Sequence, residues 1–208
     1  MNRGAPILIV VSGPSGTGKS TLLQCVQEGL KSIRMSVSHT TRPARQGEVE
    51  GVHYHFVGTP AFQKMIERDE LLEWAEVYGY QYGTSRAEWE NAVRDGYDLI
   101  TDLDVQGAAT VRRKITDAVT VFILPPSYEV LKKRLRGRAK DDEAVMKRRL
   151  NVAIDEIRHY REYDYVLVND RLEECVKELK GVIRANRARI NRADTVAQSI
   201  LKSFEQQQ

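Results

Sequence analysis

The sequence predicts an α/β fold: a parallel-sheet core with an inserted mixed subdomain and a short lid. Three observations predict it. Apolar runs at Ile7–Val11, Leu99–Ile100, Val119–Leu124 and Tyr165–Val168 alternate with stretches of helical pattern. The first run is apolar and largely β-branched throughout, as a central parallel strand covered on both faces requires. Between residues 35 and 95 the alternation breaks into short segments rich in Ser, Thr, Tyr and Gly.

Taken in order, Ile7–Val11 leads into a Gly/Ser loop over 12–19, and Ser20–Leu30 reads as a helix. Leu99–Ile100 leads into Thr101-Asp102-Leu103-Asp104. Val119–Leu124 stops at Pro125-Pro126, and Tyr165–Val168 stops at Asn169-Asp170. Helices are expected near 105–115, 127–136 and 143–160, and one long arginine-rich helix from about Glu173. The core is therefore 1–34 with 96–208, and 35–95 is the insertion. Residues 137–147 (GRAKDDEAVMK) are charged, lack a core pattern and are flanked by arginines, which suits a mobile lid over about 137–148.

Composition narrows the function classes. The 208 residues are 41% hydrophobic and 29% charged, enough for one folded domain with its own core. A net charge of +3, from 32 basic and 29 acidic residues, is too balanced to argue for nucleic acid or a membrane as partner. Cys25 and Cys175 lie far apart, with no spacing that suggests zinc, and read as two small buried thiols in a reducing compartment. The apolar stretch at Ile7–Val11 is too short for a signal peptide or a membrane span, so a cytoplasmic location is expected.

The strongest motif is Gly13-Pro14-Ser15-Gly16-Thr17-Gly18-Lys19-Ser20, which fits GxxxxGK[ST] at every fixed position. It follows a buried strand and precedes a helix, the context such a motif needs. Its glycines let backbone N–H groups converge on phosphate oxygens, and the helix N-terminus adds partial positive charge. Lys19 is expected to reach the β- and γ-phosphates of a nucleoside triphosphate, with Thr21 in the same turn, and the Ser20 hydroxyl to ligate Mg²⁺. Asp102 or Asp104, at the end of a later strand, could act on the Mg²⁺ or on the acceptor, or cap the following helix.

On the acceptor side, Arg42 and Arg45 lie three apart in Ser36-Val37-Ser38-His39-Thr40-Thr41-Arg42-Pro43-Ala44-Arg45-Gln46-Gly47-Glu48. Guanidinium forks suit bidentate phosphate binding, and a solvated basic loop is the alternative. This segment, TTRPARQGE at its centre, resembles the TTRxxRxGE block of the guanylate kinase family. GVHYHFV, LLEWAEV, YQYGTS, DLDVQG, PPS, RLRGR, KRRL and VNDRLEE follow in the family's order, over nearly the whole chain.

The resemblance implies transfer of the γ-phosphoryl group of ATP to GMP, and to dGMP, within purine nucleotide metabolism. It implies that Arg42 and Arg45 grip the GMP phosphate with Tyr54 and Tyr82, although Gln81 stands where a tyrosine is frequent. It implies that Ser38 and Glu73 read the guanine, that Thr84 assists, and that Glu48 and Asp102 lie nearby. Arg134, Arg138 and Arg149 are implied to flank the lid and contact the transferring phosphates. The chemistry agrees: guanine offers N1–H and N2–H donors on one edge, and a carboxylate such as Glu73 accepts both. Adenine lacks that pair, and polar pairing of this kind discriminates by roughly 10⁴-fold or more. A hydroxyl such as Ser38 can donate to guanine O6. No histidine is needed as a base, because the GMP phosphate is already an anionic nucleophile. Closure of the insertion and lid over the core would exclude water.

Two rival readings are an inactive peptide-binding relative and a kinase for another phosphate ester. Lys19, Ser20 and the lid arginines oppose the first. Ser38, Glu73 and Thr84 oppose the second. The last helix is either a homo-oligomer interface or a solvated end.

Overall fold

The computed structural model describes residues 4–77, 79–136 and 143–206. Its core is a five-stranded parallel sheet of β1 (Leu8–Ser12), β2 (Ile33–Met35), β7 (Asp98–Asp102), β8 (Val119–Leu124) and β9 (Tyr165–Val168), in the order β2-β7-β1-β8-β9. Every residue of β1 is buried, because helices cover both faces of the sheet. Ile7, Ile9 and Val11 point to one side. There they pack with Leu22, Leu23 and Val26 of α1 (Lys19–Gly29) and Leu179 and Ile183 of α7 (Leu172–Arg187). Leu8 and Val10 point to the other side, toward Ala92 of α3 (Arg86–Arg94) and Ala108 and Val111 of α4 (Val105–Lys114). Beyond the sheet, α5 (Tyr128–Arg136) and α6 (Glu143–Ile157) join through Leu131, Leu135, Met146, Leu150 and Ala153.

The inserted stretch builds a second sheet from β3 (His39–Thr40), β4 (His55–Phe56), β5 (Leu71–Val77) and β6 (Tyr80–Ser85), ordered β4-β3-β6-β5. Strands β3 and β4 pair in parallel, and the remaining pairs are antiparallel. A bulge between Leu71 and Glu73 interrupts the β5–β6 register. Leu72 consequently turns into the core cluster beneath the parallel sheet, anchoring the insertion to the core. From Glu73 onward burial alternates, with Glu73 and Ala75 inward and Trp74 and Glu76 outward.

Sequence and structure differ at four places. The core sheet has a fifth strand, β2, whose Ile33-Arg34-Met35 is no apolar run and is not expected from the sequence. The insertion contains two helices, α2 (Thr59–Glu67) and α3, where only short strands and turns are expected. Both carry legible start signals: Pro60 in the first turn of α2, and a Ser85-Arg86-Ala87-Glu88 capping box in which Ser85 Oγ accepts from Glu88 N at 3.2 Å. The expected final helix is two, α7 and α8 (Ile190–Glu205), and Arg192 turns its side chain into the protein at the junction. Its guanidinium is 2% exposed by residue and pairs with Asp117 Oδ2 at 2.7 Å and with the Asp117 carbonyl at 2.6 Å. Cys25 is only half-buried. Cys175 is fully packed, and burial pushes its thiol up to about 11; both are free.

Candidate active site

The phosphate loop lies between β1 and α1. Gly13, Gly16 and Gly18 all have positive φ, which side chains disfavour. At Gly13 a Cβ would also stand 2.3 Å from the Ile123 carbonyl oxygen, so that turn admits no substituent. The Thr17 hydroxyl donates to the Pro14 carbonyl at 3.0 Å, and Ser15, Ser20 and Thr21 are exposed at the mouth of the loop. Lys19 folds back so that its ammonium donates to the Gly13 carbonyl and lies 3.7 Å from Asp102 Oδ1.

The loop is braced from behind. Asn169, at the end of β9, donates from Nδ2 to the Thr17 carbonyl at 2.7 Å. Arg134 donates to the Thr17 carbonyl at 3.3 Å and to the Asn169 carbonyl at 3.0 Å. Arg134 thus contacts the backbone of the phosphate loop. Asn169, within the VNDRLEE match but without an assigned role, emerges as its neighbour. Its signal was a polar residue at a strand's C-terminal end, where open α/β sheets bind ligands.

Asp102 ends β7 beside Val11, with about a third of its side chain exposed at 36%. The surrounding protein nevertheless pushes its carboxyl upward, and Lys19 opposes the shift. Asp104 serves the helix instead, since its Oδ1 accepts from Gly107 N at 2.7 Å and caps α4. Of the alternatives the sequence leaves for this pair, the cap belongs to Asp104. Glu156 of α6, unpredicted, is raised by burial and lies within electrostatic reach of Lys19, Asp104 and Asp102.

Three of the predicted acceptor residues, Glu73, Thr84 and Tyr82, share one face of the mixed sheet. Glu73 is paired with Thr84, and Thr40 with Tyr82, so these four side chains lie on one side. Continuing the β3–β6 register outward by one residue puts Ser38 opposite Thr84. Ser38, Thr84 and Glu73 therefore form a row across three strands. Tyr54 joins them at the β4 edge, its ring 5.9 Å from that of Tyr82. Its hydroxyl is raised mainly by burial and also feels Asp102, which links this face to the phosphate-loop side.

Glu73 is 4% exposed and its Oε1 accepts from Thr84 N at 2.9 Å. Burial raises its carboxyl to about 7; Thr84 pulls it down and Asp104 adds to the rise. The Thr84 hydroxyl lies near enough to favour the carboxylate, yet among the described residues it has no partner in full hydrogen-bond geometry. A buried carboxylate beside a hydroxyl is a polar pair able to accept a ligand's N–H donors.

Arg42 is 7% exposed, and its guanidinium donates to Glu48 Oε1 at 2.8 Å and to the Pro43 carbonyl at 2.8 Å. It lies 5.4 Å from the centre of the Tyr54 ring. Glu48 Oε2 also accepts from Arg45 N at 2.7 Å. Arg42 and that backbone donor bring the Glu48 carboxyl down to about 2, and Glu48 in turn holds Arg42 firmly charged. Arg45 itself is exposed on the loop. Arg149 is half-buried on α6, and Arg138 lies outside the described residues, as do residues 137–142 of the expected lid. Three histidines have hydrogen-bonding partners: His53 accepts from Val49 N, His55 meets Glu50 and His159 meets Glu162. His39 lies against the His55 ring at 4.7 Å.

Among the described residues no cluster of three or more His, Cys, Asp or Glu side chains could hold a metal. The donors near the loop, the Ser20 hydroxyl and the Asp102 carboxylate, are hard oxygens. They suit Mg²⁺ that arrives with a nucleotide and keeps several waters. Among those residues no helix is long and apolar enough to cross a membrane.

The family model described as guanylate kinase matches residues 6–186. A guanylate kinase of Escherichia coli K12 is 48% identical over 187 residues, covering 89% of this chain and 90% of its own. One from Methylobacillus flagellatus is 46% identical over 182 residues, covering 88% and 90%. The crystal structure of guanylate kinase from Anaplasma phagocytophilum superimposes with a TM-score of 0.74 at 35% identity, covering 92% of each chain.

Proposed function

The chain belongs to the guanylate kinase family and phosphorylates GMP with ATP; we propose that Glu73, Ser38 and Thr84 read the guanine while Arg42, Tyr54 and Tyr82 hold its phosphate. The observation that carries this reading is the buried Glu73 carboxylate paired across the sheet with Thr84, on the face that the extended β3–β6 register gives to Ser38. Guanine N1–H and N2–H donate to the Glu73 carboxylate. That restores the partners its burial removed. Adenine would leave the charge unpaired, at a cost that excludes it.

The phosphate of GMP is the nucleophile. One of its oxygens attacks the γ-phosphorus of ATP, the bond to the β,γ-bridging oxygen breaks, and ADP leaves. No protein base is required, so catalysis is alignment and charge neutralisation. Arg42 enters this step already oriented by Glu48, whose part is to position the arginine and the Arg45 backbone rather than to touch the base. Lys19 exchanges the Gly13 carbonyl for phosphate oxygens, and Arg134 and Arg149 approach from the far side. Arg45 is exposed and free to swing onto the incoming phosphate. Mg²⁺ bound with ATP would be held by the Ser20 hydroxyl and, through water, by Asp102, and it supplies neutralisation of phosphate charge. The two free cysteines suit a reducing, cytoplasmic compartment.

The test is ATP turnover with Mg²⁺ against GMP, dGMP, AMP, CMP, UMP and ribose 1,5-bisphosphate. GMP and dGMP should be used and AMP refused, with GMP turnover collapsing in Glu73→Ala. Turnover with the ribosyl ester but not GMP would overturn the reading. Turnover of GMP that survives Glu73→Ala would remove Glu73 from the base site.

A further inference from the structure

Gly107 is the third residue of α4, with an ordinary helical φ, so its backbone does not call for glycine. Glycine is a poor helix former, and alanine would serve the helix better. What excludes alanine is a neighbour. A Cβ on Gly107 would stand 2.7 Å from Glu73 Oε2 and 3.3 Å from Glu73 Cδ, with Asp104 Oδ1 at 3.2 Å. The nearest atoms are thus the carboxyl group of the base reader and the cap of the helix that carries Gly107.

Both oxygens of Glu73 are therefore placed. Oε1 is tied to Thr84 N at 2.9 Å, and Oε2 occupies the hollow that Gly107 leaves on the first turn of α4. The mixed sheet contributes the reader and the parallel-sheet core contributes the seat. The bulge that turns Leu72 into the core brings β5 onto α4 and makes this meeting possible.

We infer that Gly107 is a specificity-positioning residue: the missing side chain sets where the Glu73 carboxylate stands, and so how well guanine is told from other purines. This rests on the reading of Glu73 as the guanine acceptor. A methyl at 107 must push the carboxylate out of its seat, because Thr84 N holds the other oxygen and the walls are buried. A shift of about 1 Å in a positioned group can cost on the order of 100-fold in rate.

Gly107→Ala is compared with wild type for kcat and KM toward GMP and toward inosine monophosphate, which keeps N1–H but lacks the 2-amino group, and for binding of ATP alone. The expected result is a fall of about 100-fold in kcat/KM for GMP, a reduced preference for GMP over inosine monophosphate, and unchanged ATP binding. Glu73→Asp withdraws the carboxylate by one methylene, so the double variant Gly107→Ala/Glu73→Asp should recover at least about tenfold of the loss. Losses that simply multiply in the double variant, or an unchanged purine preference in Gly107→Ala, would overturn the inference. Should Gly107→Ala fold poorly, thermal midpoints decide. In a Glu73→Ala background the alanine at 107 meets only Asp104 Oδ1, at 3.2 Å, and should destabilise clearly less than it does with Glu73 present. Equal destabilisation in both backgrounds would also overturn it. If Glu73→Ala by itself leaves GMP turnover intact, the reading of Glu73 fails, whatever Gly107 does.

Discussion

Replacing Glu73 by glutamine removes a charge that the folded protein finds costly to carry. The ordinary value for this carboxyl is 4.5, and burial raises it to about 7. The gap of ~2.5 pH units, at ~1.36 kcal/mol each, sets a ceiling of about 3 kcal/mol. The sign follows from proton binding. The folded state holds this proton more tightly than the unfolded chain, so the associated stability is complete below the unfolded value and is lost as pH rises through about 7. Glutamine keeps an oxygen for Thr84 N and presents an amide toward Asp104, with no charge to bury. Denaturant melts of wild type and Glu73→Gln at pH 4.5 and pH 8 read the effect, because groups common to both proteins cancel. Glu73→Gln should gain about 3 kcal/mol relative to wild type between the two conditions, while losing GMP turnover by roughly 10³-fold or more. An identical stability difference at both pH values would refute the claim that Glu73 is charged at a cost.

Other perturbations have separate expected outcomes. Because guanine favours the charged carboxylate, GMP binding near pH 6.5 should release protons, measured as a binding enthalpy that varies with buffer. That variation should shrink in Glu73→Gln. Arg42→Ala should lower kcat/KM for GMP by about 10- to 100-fold with ATP binding intact, measured by steady-state kinetics and nucleotide titration. Asn169→Ala removes the donor to the Thr17 carbonyl and should raise KM for ATP more than for GMP. Asp117→Ala leaves the Arg192 guanidinium buried with only carbonyl partners, and should destabilise by about 3 kcal/mol, read by thermal or denaturant melts, without changing turnover at 25 °C.

Four strands of the parallel core are legible because each is an apolar run ending at a polar or Pro-marked turn, whereas β2 is not, because Arg34 interrupts its three residues. The phosphate loop was legible because its chemistry is local, eight consecutive residues from Gly13 to Ser20. The row of Ser38, Thr84 and Glu73 is different in kind. Its members are far apart in sequence and meet only through strand pairing, so a family resemblance could name them while spacing alone could not. Glycine at 107 was hidden for the same reason: the atom it makes room for belongs to another sheet. The two helices of the insertion carry start signals in Pro60 and the Ser85–Glu88 box, but the tyrosines and glycines around them give the stretch the composition of strands and turns. The break between α7 and α8 is not legible, since the charged pattern runs on unbroken while Arg192 alone turns inward.

The bulge in β5 gives base selection an unusual vulnerability. It sets two residues of β5 against one of β6, so that Leu71 stands opposite Ser85 and Glu73 opposite Thr84 with Leu72 between them. Deleting Leu72 would leave a regular ladder with Glu73 still facing Thr84, but would remove the side chain that anchors the insertion in the core. Every residue assigned to the guanine would still be encoded, while the strand that carries Glu73 would have lost its hold on the core. Base selection thus depends on a residue that touches no base.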